Sequence, residues 1–185
     1  MKTSKISVRY AKALFDFAKE HNLIEETFAD MNLINMTYQT SPDFALAMRS
    51  PIIRPDKKVS IFTEIFSKSI NEISLKFLNI IFKKSRELYI HDIVFQYIKL
   101  YKAYHHIKEV IVITPVALDE SIKEKLRTQL GAQLNSSIEL LERIDTSLIG
   151  GMIVKVDDQL IDSSVSGHIK KLQQEFSINI YNKGF

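Results

Sequence analysis

No glycine occurs before Gly131. Hairpin turns and phosphate-binding loops need residues at φ > 0, which glycine supplies most readily. A first 130 residues without one therefore disfavour both and favour helices joined by short links. Charge changes along the chain as well. Residues 1–107 hold 16 Lys or Arg against 11 Asp or Glu, and residues 108–185 hold 9 against 11. Two domains are expected, 1–105 and 106–185, with the junction near His105–Lys108.

In the first part apolar residues recur at helical spacing. Ser4 is placed to cap a helix running to about His21, and Leu23 to Tyr38 suits a second. Ser41-Pro42-Asp43 is a start signal for a short helix through Met48, because proline fits the first turn. Ser50-Pro51 ends it, and Arg54-Pro55-Asp56 opens another, to about Phe66. Helices over Asn71–Lys84 and Glu87–His106 complete an all-α six-helix bundle with antiparallel neighbours.

After Lys108 the pattern changes. Glu109 to Thr114 is a β-branched run halted by Pro115, which predicts a strand. Asp119 to Leu134 is amphipathic. Ile138, Leu140 and Ile144 predict a second strand, and Ile149 to Val156 a third, turning at Asp157-Asp158 into Gln159–Ile161. Ser163 to Phe176 fits a last helix. The order βαβββα predicts a small α+β C-terminal domain with helices on one face of a sheet.

Composition excludes several chemistries. With no cysteine there is no disulfide, zinc–thiolate site, iron–sulfur cluster or thiol nucleophile. No apolar run reaches the roughly 18–20 residues that span a bilayer, and no apolar stretch follows Met1 to Ser7 to make a secretory leader. The five histidines form no HxxxH or HExxH pair, and adjacent His105 and His106, read as helical, point to different sides. Gly150-Gly151 is followed by no Gly-Lys-Ser/Thr, so a bulge or close strand approach is expected there. Asp157, Asp158 and Asp162 lack calcium-loop spacing and read as a turn and a helix cap. No catalytic residue, metal site or cofactor is expected. Lys57-Lys58 and Lys83-Lys84-Ser85-Arg86 read as solvated helix ends rather than a nucleic-acid patch, because no aromatic platform accompanies them.

Two helices carry an excess of apolar surface. From Ile6 to Ala18 nine of thirteen residues are apolar, leaving Arg9, Lys12 and Asp16 on one narrow stripe. Ile73 to Phe82 repeats the arrangement around Lys76, Asn79 and Lys83. Both helices can be central members of the bundle, covered by the others. Alternatively, they share a groove open to an amphipathic helix from another protein. A helix can also do both, burying one face and offering the other.

Arg9-Tyr-Ala-Lys-Ala-Leu-Phe-Asp-Phe-Ala18 resembles the opening helix of the delta subunit of F-type ATP synthase, the bacterial counterpart of the oligomycin-sensitivity-conferring protein. Ile138 to Asp145 followed by Leu148 to Lys155 is similar to that family's C-terminal signature, and Ile161 to Leu172 to the start of its closing helix. The matching signature positions are Gly150, Gly151, Asp162, Val165 and Gly167. The chain departs from the family in lacking a glycine at Asp157 or Asp158, and in having Ser163 and Ser166 where glycine and arginine are usual. The resemblance implies a non-catalytic stator subunit that links the catalytic head to the peripheral stalk and resists rotor torque. It implies that the helical domain binds the N-terminal helix of an alpha subunit in a groove formed by Tyr10, Ala13, Leu14, Phe77, Ile80 and Lys84. The C-terminal domain is implied to contact the b subunits. It further implies a place at the cytoplasmic face of a bacterial plasma membrane, reached only through the complex. An RNA-binding helical bundle such as a transcription antitermination factor is the alternative, and a small-ligand or enzymatic role for the βαβββα half is a weaker one.

Overall fold

The computed structural model describes residues 4–177; residues 1–3 and 178–185, the outer ends of the two expected domains, lie outside that description. The described residues are mostly helical, with eight α-helices and a four-stranded sheet in the C-terminal part. The chain divides into two compact units after Tyr104.

Helices α1 (Lys5–Glu20), α2 (Ile24–Thr40), α3 (Pro42–Arg49), α4 (Pro55–Phe66), α5 (Glu72–Lys83) and α6 (Ile90–Tyr104) precede the first strand. Their ends follow local chemistry. The Ser4 hydroxyl accepts the Ile6 N–H at 3.3 Å, and the Asn71 side chain accepts the Ile73 N–H at 3.2 Å, so both helices begin on a polar cap. Pro42 and Pro55 stand in first turns, although Ser41 makes no side-chain cap bond. Left-handed residues other than glycine follow three of these helices, two of them in Schellman endings. Asn22 (φ 57°) and Ser85 (φ 54°) take that conformation. The Leu23 N–H then reaches the Ala18 carbonyl at 2.8 Å and the Arg86 N–H reaches that of Ile81 at 3.1 Å, the six-to-one bond of a Schellman ending.

α1 and α2 both lie along α6. Phe62 of α4 is 2% exposed and its ring meets Phe66 at 4.5 Å, Phe82 at 5.5 Å and Phe44 at 6.3 Å, so α3, α4 and α5 share an aromatic core. Each such buried ring stabilises the fold by roughly 1.5–3 kcal/mol over an exposed one. Asp30 of α2 is buried at the start of α5, where its carboxylate accepts the Asn71 N–H at 3.0 Å and the Ser74 hydroxyl at 2.5 Å.

Three expectations for this unit and the two residues that follow it are corrected. Lys58 is not part of a solvated pair: it is buried, and its ammonium donates to Glu87 at 3.2 Å, because α4 turns that position inward. The final helix is broken into a 3-10 turn at Glu87–Tyr89 and α6. His105 and His106 lie past its end, with His106 at φ 52°, so they are turn residues rather than helical neighbours.

The second unit runs β1 (Ile107–Thr114), α7 (Glu120–Leu134), β2 (Ser137–Ile144), β3 (Ile153–Val156), β4 (Gln159–Asp162) and α8 (Val165–Ser177). The strand order is β2-β1-β3-β4. β1 and β2 are parallel, as the intervening helix requires, and the other two pairings are antiparallel. Val110, Val112, Val154 and Val156 form the core on one face, against Leu126, Leu130 and Leu134 of α7. The third strand begins at Ile153, not Ile149. Residues 149–152 form a loop because Gly151 stands at φ 78°, outside strand geometry.

Candidate functional site

α1 and α5 diverge enough at the surface to leave an apolar cleft of about 240 Å³, lined by Ala13, Leu14 and Phe17 of the first and Ile73, Lys76, Phe77 and Ile80 of the second. Helical periodicity explains why both helices serve two surfaces. On α1, Ala11, Leu14, Phe15 and Ala18 face the core, while Ala13 and Phe17 point one flank away. On α5, Leu78, Ile81 and Phe82 face inward, and Ile73, Phe77 and Ile80 form the neighbouring flank. Ile80 is 51% exposed, whereas Leu14 is 1% exposed and belongs to the core, forming the cleft's floor.

The six groove residues expected from the resemblance divide as follows. Ala13, Leu14, Phe77 and Ile80 line the cleft. Tyr10 stands beside it, its ring edge-on to Phe77 at 6.3 Å between centroids. Its hydroxyl accepts from the Arg86 guanidinium at 2.8 Å. Arg86 is therefore not a free helix-end charge, because the left-handed turn at Ser85 folds it back onto Tyr10. Lys84 is outside the lining; it is the exposed C-cap of α5. Phe17 and Ile73 were not among the six, although each lies four residues from a residue that was. Lys76 borders the cleft and pairs with Glu72 at 2.7 Å, which holds the Glu72 carboxyl below its usual range.

The signature residues of the second unit meet in one corner. The Val165 N–H donates to the Gly150 carbonyl at 2.9 Å and the Ser163 N–H to that of Met152 at 3.0 Å. A side chain on Gly151 would run into the Ser163 carbonyl and the Ser164 backbone, and one on Gly167 into the Asp162 carboxylate. Asp162 accepts both the N–H of Ser164, at 2.9 Å, and its hydroxyl, at 2.6 Å. Those two bonds pull the Asp162 carboxyl below its ordinary value. The Ser164 oxygen in turn accepts the Gly167 N–H at 3.0 Å and so caps α8. Ser166 adds a hydroxyl contact to Ser164 at 3.1 Å. Asp157 holds φ 50°, a left-handed residue other than glycine, at the turn between β3 and β4. In this corner the donors and acceptors of Asp162, Ser164, Ser166 and Gly167 bond to one another.

α8 presents Val165, Ile169, Leu172 and Phe176 at the surface, Phe176 at 84% exposure. Among the described residues no group of three His, Asp or Glu side chains is placed to hold a metal ion.

A family model described as ATP synthase delta (OSCP) subunit matches residues 6–176. The chain belongs to this family. The ATP synthase subunit delta of Cytophaga hutchinsonii is 30% identical over 182 residues, which cover 98% of this chain and 100% of that one. That of Alkaliphilus oremlandii is 31% identical, over 93% of this chain and 96% of its own. A chain in a solved structure of the Toxoplasma gondii mitochondrial ATP synthase hexamer shares the fold. It matches with a TM-score of 0.76 at 17% identity, over 94% of this chain and 98% of that chain. As a member of the delta/OSCP family, the chain is a non-catalytic component of the ATP synthase peripheral stalk. It is a peripheral part of a membrane-bound complex, and none of the described helices is long and apolar enough to cross a membrane. The RNA-binding alternative finds no support in these matches.

Proposed function

We propose that the helical unit, working as a six-helix bundle, receives the N-terminal helix of an alpha subunit in the α1–α5 cleft, while the α+β unit holds the ends of the b subunits. The chain then ties the catalytic head to the stalk and resists rotor torque at the cytoplasmic face of a bacterial plasma membrane. Support for the head contact comes from one observation: an apolar cleft whose rim residue Ile80 is half exposed although its helix already has a full set of core residues. Such a surface suits the apolar face of an amphipathic helix. Support for the stalk contact comes from α8, whose exposed apolar residues recur at four-three-four spacing, the seam pattern by which helices pack side by side.

The test is reconstitution. Membranes stripped of this subunit should regain ATP-driven proton pumping when the purified chain is added. The chain should also capture both head and b subunits from detergent extracts. A chain that restores no pumping and captures neither would overturn the reading. Measurable ATP hydrolysis by the chain alone would contradict its non-catalytic part.

A further inference from the structure

The charges around the cleft are unevenly placed along its length. Tyr10, near the start of α1, meets Phe77 and the Arg86 that follows α5, while Phe17 further along α1 shares the cleft with Ile73 at the start of α5, so the two helices run antiparallel and the N-terminal half of α1 lies beside the C-terminal end of α5. At that end Arg9, Lys83, Lys84 and Arg86 gather. Among the described residues none of the four pairs with a carboxylate, and Arg86 bonds only to a neutral phenol. Toward the other end, roughly 9 and 15 Å along from Tyr10 at 1.5 Å per residue, α1 carries Asp16 and Glu20, while the Lys19 ammonium between them is turned over the Tyr104 ring. The cation of α5 there, Lys76, is already neutralised by Glu72. An apolar trough thus ends in uncompensated positive charge on one side and net negative charge on the other.

We propose that this gradient selects and orients the docked helix: an amphipathic helix with an acidic first turn, lying parallel to α1 with that turn over Arg9, Lys83, Lys84 and Arg86. The inference rests on the cleft being a helix site. Helices concentrate Asp and Glu in the first turn because the N-terminal dipole favours negative charge. A helix reversed in the cleft would place its acidic turn against Asp16 and Glu20 and leave the cationic end uncovered. Direction is therefore set by charge, and affinity by the apolar floor.

The probes are two synthetic amphipathic peptides of about 20 residues with one apolar face, differing only in three Glu or three Gln in the first two turns. Full-length protein should bind the Glu peptide about tenfold more tightly at low salt, since exposed ion pairs contribute modestly but add over several contacts. The advantage should shrink as salt rises. Lys83→Glu with Lys84→Glu leaves two cations against two carboxylates at that end and should abolish the preference without lowering the melting temperature. Because the chain has no cysteine, a spin label at Ser85→Cys or at Glu20→Cys reads direction. The first should broaden the peptide's N-terminal resonances and the second its C-terminal ones. Equal binding of both peptides at every salt concentration, or the opposite broadening pattern, overturns the charge inference while leaving the cleft reading intact. Binding of neither peptide overturns both.

Discussion

The helical unit buries whole aromatic rings, whereas the α+β unit buries little beyond four valines and relies on polar fastenings. Phe44, Phe62, Phe66, Phe82 and Tyr97 are all enclosed in the first. In the second, α7 has no fully buried residue. α7 is held to the sheet partly by Glu142, which accepts the Leu118 N–H at 2.6 Å and the Lys123 ammonium at 2.9 Å. The start of α8 is held by Asp162 and Ser164. An interior of large side chains fills itself and tolerates a partner on one flank. A thin core with exposed apolar residues on α8 is a unit that gains most from being covered.

Mutations should separate these two ways of holding a fold. The largest effect is expected at Phe62→Ala, which removes a ring from the aromatic core and should cost about 3–5 kcal/mol. Denaturant unfolding followed by helical signal should show the loss, with no shift in a probe placed on the sheet. Equal shifts of both probes would mean the units do not unfold separately. Gly151→Ala comes next. Alanine at φ 78° against the Ser163 carbonyl combines left-handed strain with overpacking, about 2–4 kcal/mol together, and the damage should be confined to the α+β unit. A variant as stable as wild type would show that the corner is not tightly packed.

Ser164→Ala removes the α8 cap and should cost about 1 kcal/mol, read from the same sheet probe. Acid should also distinguish the units. Hydrogen bonds from Ser164 hold Asp162 below its ordinary 3.8, and the bonds from Leu118 and Lys123 hold Glu142 below its ordinary 4.5. A depressed carboxyl contributes stability above its unfolded value, which is lost as pH falls through the folded one, so the α+β unit should weaken from about pH 4.5 downward. In the helical unit the exposed Glu72 is also held low by Lys76, but buried Asp30 is shifted the other way, chiefly by desolvation. Its contribution to stability should increase, not fall, as it takes up a proton. Melting both units from pH 6 to pH 3 should therefore widen the gap between them, and a constant gap would contradict the assignment. The smallest effect is a gain. Ser85→Gly relieves a left-handed serine and should stabilise the helical unit by about 0.5–1 kcal/mol in a thermal melt.

Much of the fold was legible because helix period, strand run and proline position are local signals. The two apolar helices could be found the same way, whereas Ala13, Phe77 and Ile80 as groove residues came from the resemblance to the delta family. What the sequence withheld depends on distant neighbours. Ile149-Gly-Gly-Met reads as strand until the Ser163 backbone comes against Gly151. Lys58 reads as a solvated charge until Glu87, far along the chain, is folded onto it. The apolar excess on α1 does not say which residues face the core, so Leu14 and Ala13 look alike in sequence although one is buried and the other exposed. Asp30 stands at helical spacing from buried Thr27, Ile34 and Tyr38. That periodicity was visible, yet its partners Asn71 and Ser74 become apparent only in three dimensions.

The α1–α5 cleft as a helix site is tested most directly by Ile80→Asp, read in two ways on the same preparation: thermal melting of the variant, and its titration with a peptide copying the N-terminal helix of the alpha subunit. The side chain meets water in the free protein, so melting should stay near that of wild type. In the complex an unpaired carboxylate would be buried against an apolar face, a cost of several kcal/mol, with tenfold affinity lost per ~1.4 kcal/mol. The expected result is normal melting with peptide binding abolished. Normal melting with undiminished binding would contradict the cleft as the docking site, and melting far below wild type would return Ile80 to the core.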